Sequence, residues 1–238
     1  MQMGESIEEI HDAVQALRNG EFVLIYDADD REGETDFVIA AEFVTHKSIS
    51  KMRSQGGGLI FLMISHDIAS QFNLPFLSEI YEVAQTSFPV LQSLYANDIP
   101  YDSRSSFSLY INHRKTFTGI TDIDRSLTIA GFADLAKSVT EQFDTNAMIE
   151  FGKLFRTPGH VPICIASEEP LKERFGHTEL ATALLTMAGL CPVASGCEIM
   201  DDTGKAMSKQ KVKKIASDQN IVFLEGKNII ESWNEWSK

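Results

Sequence analysis

The residues best suited to catalysis or ligand binding lie in one acidic stretch, from Asp27 to Asp36. It holds six carboxylates and Arg31, and it lies between two apolar runs typical of buried strands, Phe22 to Tyr26 and Phe37 to Ala41. Because like charges at this density repel, an ordered loop of this kind favours a bound cation, either a hard metal ion or part of a substrate. A solvated acidic turn would have a similar composition, since aspartate and glycine are ordinary turn residues.

Two polar clusters lie far downstream. Arg156-Thr157-Pro158-Gly159-His160 is typical of a turn before a strand, and Arg174-Phe175-Gly176-His177-Thr178-Glu179 precedes the apolar helix predicted at 180–188. The second cluster places an arginine, a glycine and free backbone N–H groups at a helix start, which favours phosphate binding. Taken alone, a histidine before a strand is more often a surface or capping residue than a catalyst. The three clusters together predict a metal-assisted reaction on a small phosphorylated substrate.

The elements that must position these clusters alternate along the chain. Apolar runs predict strands at residues 22–26, 37–41, 59–64, 107–111, 161–166, 192–199 and 221–224. Helices are predicted from about Ile7 to Asn19, at the C-terminus, and at residues 48–55, 128–139, 180–188 and 208–217. Residues 68–100 are irregular and interrupted by prolines. We expect an α/β fold with an α+β-like order: one layered catalytic domain, 1–238 with a core at about 7–230, in which helices flank a mixed twisted sheet.

Composition limits the function classes. With 43% hydrophobic and 23% charged residues, the chain is typical of a soluble globular protein. Its net charge of −13 argues against general binding to nucleic acid or anionic membranes. Cys164, Cys191 and Cys197 lack metal-site spacing and predict small core residues in a reducing compartment. No run is long and apolar enough to span a membrane and no secretory leader is evident, so a cytoplasmic location is expected.

The residue sequences of these motifs resemble those of the 3,4-dihydroxy-2-butanone 4-phosphate synthase family. The matching segments, in that family's order, are Asp29 to Asp36, Ala40 to Glu42, Thr116 to Thr121, Arg156 to His160 and Arg174 to Glu179. The resemblance runs from about Ile7 to Ile230. The sequence Arg-Glu-Gly-Glu-Thr-Asp is similar to the archaeal, monofunctional form, without the downstream GTP cyclohydrolase II domain of many bacterial members.

This resemblance implies a lyase of riboflavin biosynthesis that converts D-ribulose 5-phosphate to 3,4-dihydroxy-2-butanone 4-phosphate and formate. The expected route is a metal-stabilised enediolate followed by skeletal rearrangement. The resemblance implies Mg²⁺ (or Mn²⁺) held by Glu32 and His177. It also implies catalytic roles for four side chains, His160, Glu198, Asp27 and Glu34. The implied substrate contacts, of which the last four hold the phosphate, are Arg31, Glu32, Asp36, Arg174, Gly176, His177 and Thr178.

The family is homodimeric, with active sites near the subunit interface. Part of the segment from Thr116 to Asp124 is therefore expected to serve the partner's site. One departure from the family pattern is Phe61, which stands where the family usually has a cysteine. No step of the implied reaction demands a thiol nucleophile, so we expect this cysteine to be dispensable.

Two alternatives fit parts of the same pattern. Another metal-dependent aldolase or isomerase acting on a ketose phosphate would use the same enediolate chemistry. A non-catalytic acidic module that binds cations or a protein partner would also explain the acidic loop. The module predicts that Glu32→Gln and His177→Ala leave function intact, whereas the synthase hypothesis predicts loss of metal-dependent turnover in both variants.

Overall fold

Seven strands form one mixed sheet in the computed structural model, which describes residues 2–142 and 146–238 but not the side chains of residues 2–6, 141 and 142. The strands are β1 Val23–Tyr26, β2 Thr35–Ala40, β3 Phe61–Ile64, β4 Phe107–His113, β5 Phe155–Ile165, β6 Val193–Glu198 and β7 Val222–Glu225. Their order across the sheet is β4-β5-β3-β6-β2-β1-β7. The pairs β1–β7 and β3–β5 are parallel, and the other pairs are antiparallel.

Helices cover both faces of this sheet. They are α1 Gln2–Arg18, α2 His46–Gln55, α3 His66–Gln71, α4 Leu77–Ala84, α5 Val90–Ser93, α6 Asp122–Gln142, α7 Ala147–Leu154, α8 His177–Met187, α9 Lys209–Gln219 and α10 Gly226–Trp236, with a short 3₁₀ helix at Ala41–Phe43. Successive strand residues face opposite sides, so Leu24 belongs to a core with α2 and α6, whereas Val23 and Ile25 belong to a core with α1 and α8. The predicted layered α/β fold with a mixed sheet is confirmed.

The structure differs from the sequence prediction in several stretches, and α7 at Ala147–Leu154, for example, was not predicted. Residues 68–100, expected to be irregular, include most of α3 and all of α4 and α5. The turn expected at 156–160 lies inside β5 instead. Ile111 of β4 pairs with Val161, and the next residue, Asn112, pairs with Arg156, so residues 157–160 bulge out of the ladder.

The sheet brings the separate clusters to one end of the fold. The acidic loop connects the hairpin strands β1 and β2, in which Tyr26 pairs with Thr35. Asp36 of β2 lies opposite Glu198 at the end of β6, although 162 residues separate them in the chain. Of the described helices, none has the length and apolarity needed to cross a membrane.

Candidate active site

The acidic loop is folded around its first carboxylate. Asp27 is buried, and it accepts hydrogen bonds from the backbone N–H groups of Glu32 at 2.9 Å and Glu34 at 3.0 Å. Its Oδ2 also accepts a bond from Nη1 of Arg31 at 3.2 Å. Gly33 completes the turn with a φ of +67°, which is easily reached only without a side chain. The loop is therefore preorganised, and the side chains of Arg31, Glu32 and Glu34 are held at fixed positions.

His177 brings an imidazole to this loop from the start of α8. Its Nδ1 lies 3.4 Å from Oε2 of Glu32, across 145 residues of sequence. Asp27, Glu32 and His177 each offer a ligand atom, and these atoms lie within 4.8 Å of one another. Two carboxylate oxygens and one imidazole nitrogen form a donor set suited to a small divalent cation.

Asp36 gives an independent indication that positive charge belongs here. Its carboxylate is only 1% exposed, and neither oxygen has a hydrogen-bond partner among the described residues. The cationic group that approaches the Asp36 carboxylate is the His177 ring, whose Nε2 lies 3.7 Å from Oδ1. A buried carboxylate without hydrogen bonds is costly unless a cation compensates it. The residues present therefore fit a divalent ion.

The pKa values reflect this excess of buried carboxylates. Burial, with smaller contributions from neighbours that include Glu198, raises the pKa of Asp36 to about 8. Burial also raises the pKa values of Glu34 and Glu198. Burial alone would lower the pKa of His177, but the negative charges around it, Asp36 first among them, raise it to about 9. Burial opposes ionisation of Glu32, yet His177 holds its pKa below the usual range. The site thus retains protons that a divalent cation would displace.

These pKa shifts predict how stability depends on pH without metal. The folded-state pKa of His177 lies above its ordinary value of 6.5, so its contribution is complete below pH 6.5 and is lost as pH rises through about 9. Asp36 changes stability in the same direction, and because its charge and that of His177 act on each other, the two groups contribute together as one titrating pair. With a chelator present, we expect the free energy of unfolding to fall by about 2 kcal/mol between pH 6.5 and 9.

Urea unfolding at the two pH values measures this loss. The exposed His46 provides the control, since His46→Asn should keep the full pH dependence whereas His177→Asn should lose at least about half of it. Equal pH dependence in His177→Asn and the wild type would contradict the assignment.

Two arginines converge beside the histidine. Gly176, the N-cap of α8, has an extended backbone, so the first N–H groups of the helix are left without helical partners. A Cβ built on Gly176 would lie 2.6 Å from Nη1 of Arg174 and 2.7 Å from Nη2 of Arg31. Two guanidinium groups at a helix N-terminus form a strong site for an oxyanion. We refer to Arg31 and Arg174 as the arginine pair.

A single cavity of about 350 Å³ joins the acidic loop to the arginine pair. Most of the predicted site residues line it: Arg31, Glu32, Glu34, Asp36, Arg174, His177, Thr178 and Glu198. Asp27 lies buried within the loop beside them, and Gly176 caps the adjoining helix. A cation and an anionic group can therefore be held a short distance apart within one small ligand.

Known proteins resemble the whole of this chain. A family model described as 3,4-dihydroxy-2-butanone 4-phosphate synthase matches residues 11–232. The chain belongs to this family. The synthase of Methanothermobacter thermautotrophicus is 43% identical over 233 residues, covering 98% of this chain and 99% of the relative. That of Archaeoglobus fulgidus is 42% identical over 232 residues, covering 97% and 96%. The expected synthase activity in riboflavin biosynthesis is thereby confirmed.

Solved synthase structures share the fold. The Candida albicans enzyme superposes with a TM-score of 0.70 and 27% identity, over 94% of this chain and 96% of that one. A synthase solved in complex with two magnesium ions superposes with a TM-score of 0.70 and 24% identity, over 95% of this chain and 96% of that one. These neighbours confirm the mixed-sheet α/β architecture of the synthase.

His160 is the one predicted site residue that the structure places away from the cavity of the synthase. It lies on the β5 bulge and is exposed, and it is not among the residues lining the cavity. Asn112 fixes it by accepting a hydrogen bond from its backbone N–H at 2.8 Å and by lying 3.1 Å from its ring Nδ1. The catalytic role expected for His160 remains a prediction.

Two carboxylates of the synthase site had no role assigned from the sequence. Glu179 is fully buried, pairs with Arg174 and accepts the backbone N–H of Ser167 at 2.9 Å. Its position in the sequence could have indicated this role, because a carboxylate in the first turn of an apolar helix needs a hydrogen-bonding or cationic partner. Asp102 joins the arginine pair from an irregular segment 72 residues before Arg174, and no local pattern indicated it.

Phe61 forms part of the cavity wall of the synthase. It is 6% exposed, and Cys164 lines the same cavity from the neighbouring strand β5. Burial raises the pKa of the Cys164 thiol to about 12, so the thiol is protonated at neutral pH. Cys164 and Cys197 are free and buried, in agreement with the expectation that they are core residues, whereas Cys191 is half-buried. That the family's cysteine is dispensable remains a prediction.

Proposed function

We propose that the chain converts D-ribulose 5-phosphate to 3,4-dihydroxy-2-butanone 4-phosphate and formate. The observation that carries this proposal is the meeting of Asp27, Glu32 and His177 in one cavity with the arginine pair. A ketose phosphate has vicinal oxygens that suit a divalent cation at one end and a phosphate that suits guanidinium groups at the other. The cavity offers both kinds of partner.

Glu32 and His177 would hold the divalent ion, Mg²⁺ or Mn²⁺, with Asp27 as a third donor. When bound, such an ion polarises the substrate oxygens and so lowers the barrier to removing the adjacent proton. The chain itself supplies the groups that exchange protons. Glu198 and Glu34 line the cavity, and burial raises the pKa of both, which favours them as groups that accept and return protons.

The phosphate would lie at the start of α8, which yields a test at Gly176. Its φ of −80° suits any residue, and the three atoms nearest to an added Cβ belong to the guanidinium groups of Arg31 and Arg174. Gly176→Ala should therefore fold normally but displace the arginine pair and raise the KM for the sugar phosphate about tenfold or more. Steady-state kinetics measure the effect.

Gly152→Ala is the matched control, because a Cβ there meets no atom within 4 Å. It should leave the KM unchanged. A Gly176→Ala protein with the wild-type KM would rule out phosphate binding at the helix start.

The alternative activity is that of another metal-dependent aldolase or isomerase on a ketose phosphate. Supplying D-ribulose 5-phosphate with magnesium and measuring formate separates the two activities. The synthase reaction releases one formate for each ketose consumed, whereas isomerisation consumes or interconverts the ketose without formate. Turnover without formate would replace the proposed reaction by the alternative.

A homodimer is part of the proposal. Phe117, Ile120 and Ile123 form an apolar patch, and Phe117 is 94% exposed. Exposed apolar side chains in such a group favour burial against another molecule. The patch adjoins His160, since Asn112 donates to the carbonyl oxygen of Thr118 at 3.5 Å and is bonded to the histidine. We propose that a second copy docks on this face with its own cavity next to His160, which would give that residue an acid–base role in the partner's site.

A further inference from the structure

Asp102 occupies the position where a phosphate would meet the arginine pair. One of its oxygens, Oδ2, accepts hydrogen bonds from Nη2 of Arg31 at 3.2 Å and from Nε of Arg174 at 2.5 Å. The side chain of Asp102 is 10% exposed, and those of Arg31 and Arg174 are 9% and 18% exposed. A carboxylate oxygen shared by two guanidinium groups makes the same contacts that a phosphate oxygen would make.

The arginine pair does not need Asp102 for its orientation. Arg31 is also held by Asp27 at 3.2 Å and by Glu32 at 2.9 Å, both from its own loop. Arg174 is also held by the fully buried Glu179, which is fixed in α8. Each guanidinium group therefore keeps a partner when Asp102 leaves, Arg31 within its own loop and Arg174 at the first turn of α8.

Asp102 itself belongs to an irregular and mostly exposed stretch, which should open more easily than a packed helix or strand. It lies in the irregular segment between the end of α5 at Ser93 and the start of β4 at Phe107. Its other oxygen bonds only locally, accepting the backbone N–H of Ser103 at 3.1 Å. The neighbouring Tyr101 packs its ring over Arg31, with 5.4 Å from Cζ to the ring centroid. Segments with few fixed contacts open at small free-energy cost.

We propose that Asp102 is an internal competitor for the anion site, displaced when the substrate's phosphate binds, and that it makes the site selective for a dianion. The inference rests on the proposed function, because the anion concerned is the phosphate of the sugar substrate. A neutral sugar gains nothing from the arginine pair and leaves Asp102 in place. A phosphate dianion brings more charge than one carboxylate, so it displaces Asp102 and removes a negative group from its own surroundings.

Competition of this kind lowers the apparent affinity for phosphate in proportion to the fraction of molecules in which the site is free. Asp102→Asn removes the charge of the competitor and keeps its shape. We expect this variant to bind inorganic phosphate about tenfold more tightly than the wild type. Titration calorimetry of the full chain with phosphate, in one magnesium buffer, measures both dissociation constants.

Asp98→Asn is the matched control. Asp98 is exposed in the same segment, and its replacement changes the net charge by the same amount. It should bind phosphate as the wild type does, so a gain confined to Asp102→Asn is local and not a general effect of charge. If Asp102 instead orients the arginines, Asp102→Asn will bind phosphate more weakly, and the proposal is overturned. Equal affinity in all three proteins overturns it as well.

A measurement on the wild type makes the test independent of how any variant folds. Phosphate should increase hydrogen exchange in a peptide covering residues 96–106, because it releases Asp102 from the arginine pair. Unchanged or slower exchange there contradicts displacement. Formate release from ribulose 5-phosphate is assayed separately. If only the competitor model is wrong, the wild type still produces formate. If the proposed reaction is wrong, no formate is produced, whatever the affinity for phosphate.

Discussion

Glu32→Gln and His177→Asn are each expected to lower kcat by about 10³-fold or more, because each removes a donor of the proposed divalent-ion site. Glu32→Gln keeps the size of the side chain and removes only its charge. His177→Asn removes an imidazole that lies 3.4 Å from the Glu32 carboxylate and is almost completely buried. Formate release measured over a range of magnesium concentrations should show both a lower maximum and a higher magnesium requirement.

Matched controls separate this effect from general loss of charge or of structure. Glu21 and His46 are exposed, so Glu21→Gln and His46→Asn should retain wild-type turnover and magnesium dependence. Circular dichroism verifies that all four variants are folded. Wild-type magnesium dependence in folded Glu32→Gln and His177→Asn would contradict the proposed ion site and would favour a cation-independent role for the acidic loop.

The sequence predicted most strands of the fold because each strand is a short apolar run between polar segments. Every residue of β1, β2 and β3 is buried, so composition alone marked them. The helices of residues 68–100 were missed because their prolines were interpreted as breaks. Pro89 stands immediately before α5, where a proline is tolerated, and Glu79 accepts the backbone N–H of Phe76 at the start of α4.

From the residues alone, the site was predictable where its side chains lie in motifs, whereas Glu198 was expected only from the family resemblance. The acidic loop and the start of α8 are continuous stretches, so their composition indicated a cation and an anion site. The pairing of Asp36 with Glu198 depends on the register between β2 and β6, which no local pattern specifies. Asp102 reaches the arginine pair from an irregular segment, and that contact exists only in the folded chain.

His160 leads to the second prediction, which concerns the proposed homodimer. Its role was expected from sequence, but it lies on the exposed β5 bulge outside the cavity of its own subunit. If it serves the partner's site, His160→Ala should lower kcat by about 10²–10⁴-fold, as expected for a lost acid–base group. Glu32→Gln should be inactive for a different reason, since Glu32 serves its own subunit.

These two inactive variants should restore activity to each other in one heterodimer. Co-expression with two different affinity tags and purification over both yields dimers with one copy of each variant. If sites are shared, one site combines the intact Glu32 of one subunit with the intact His160 of the other, and the second site carries both defects. The heterodimer should then have about half the activity of the wild-type dimer.

A different heterodimer activity is expected if His160 acts within its own subunit. If His160 acts within its own subunit after a local movement, each site of the heterodimer keeps one defect and activity stays at the level of the single variants. A heterodimer of Glu32→Gln with His177→Asn provides the matched control, because both residues lie in the same cavity and no combination of subunits restores a site. Recovery with His160→Ala but not with His177→Asn would therefore place His160, alone of the three, in the partner's active site.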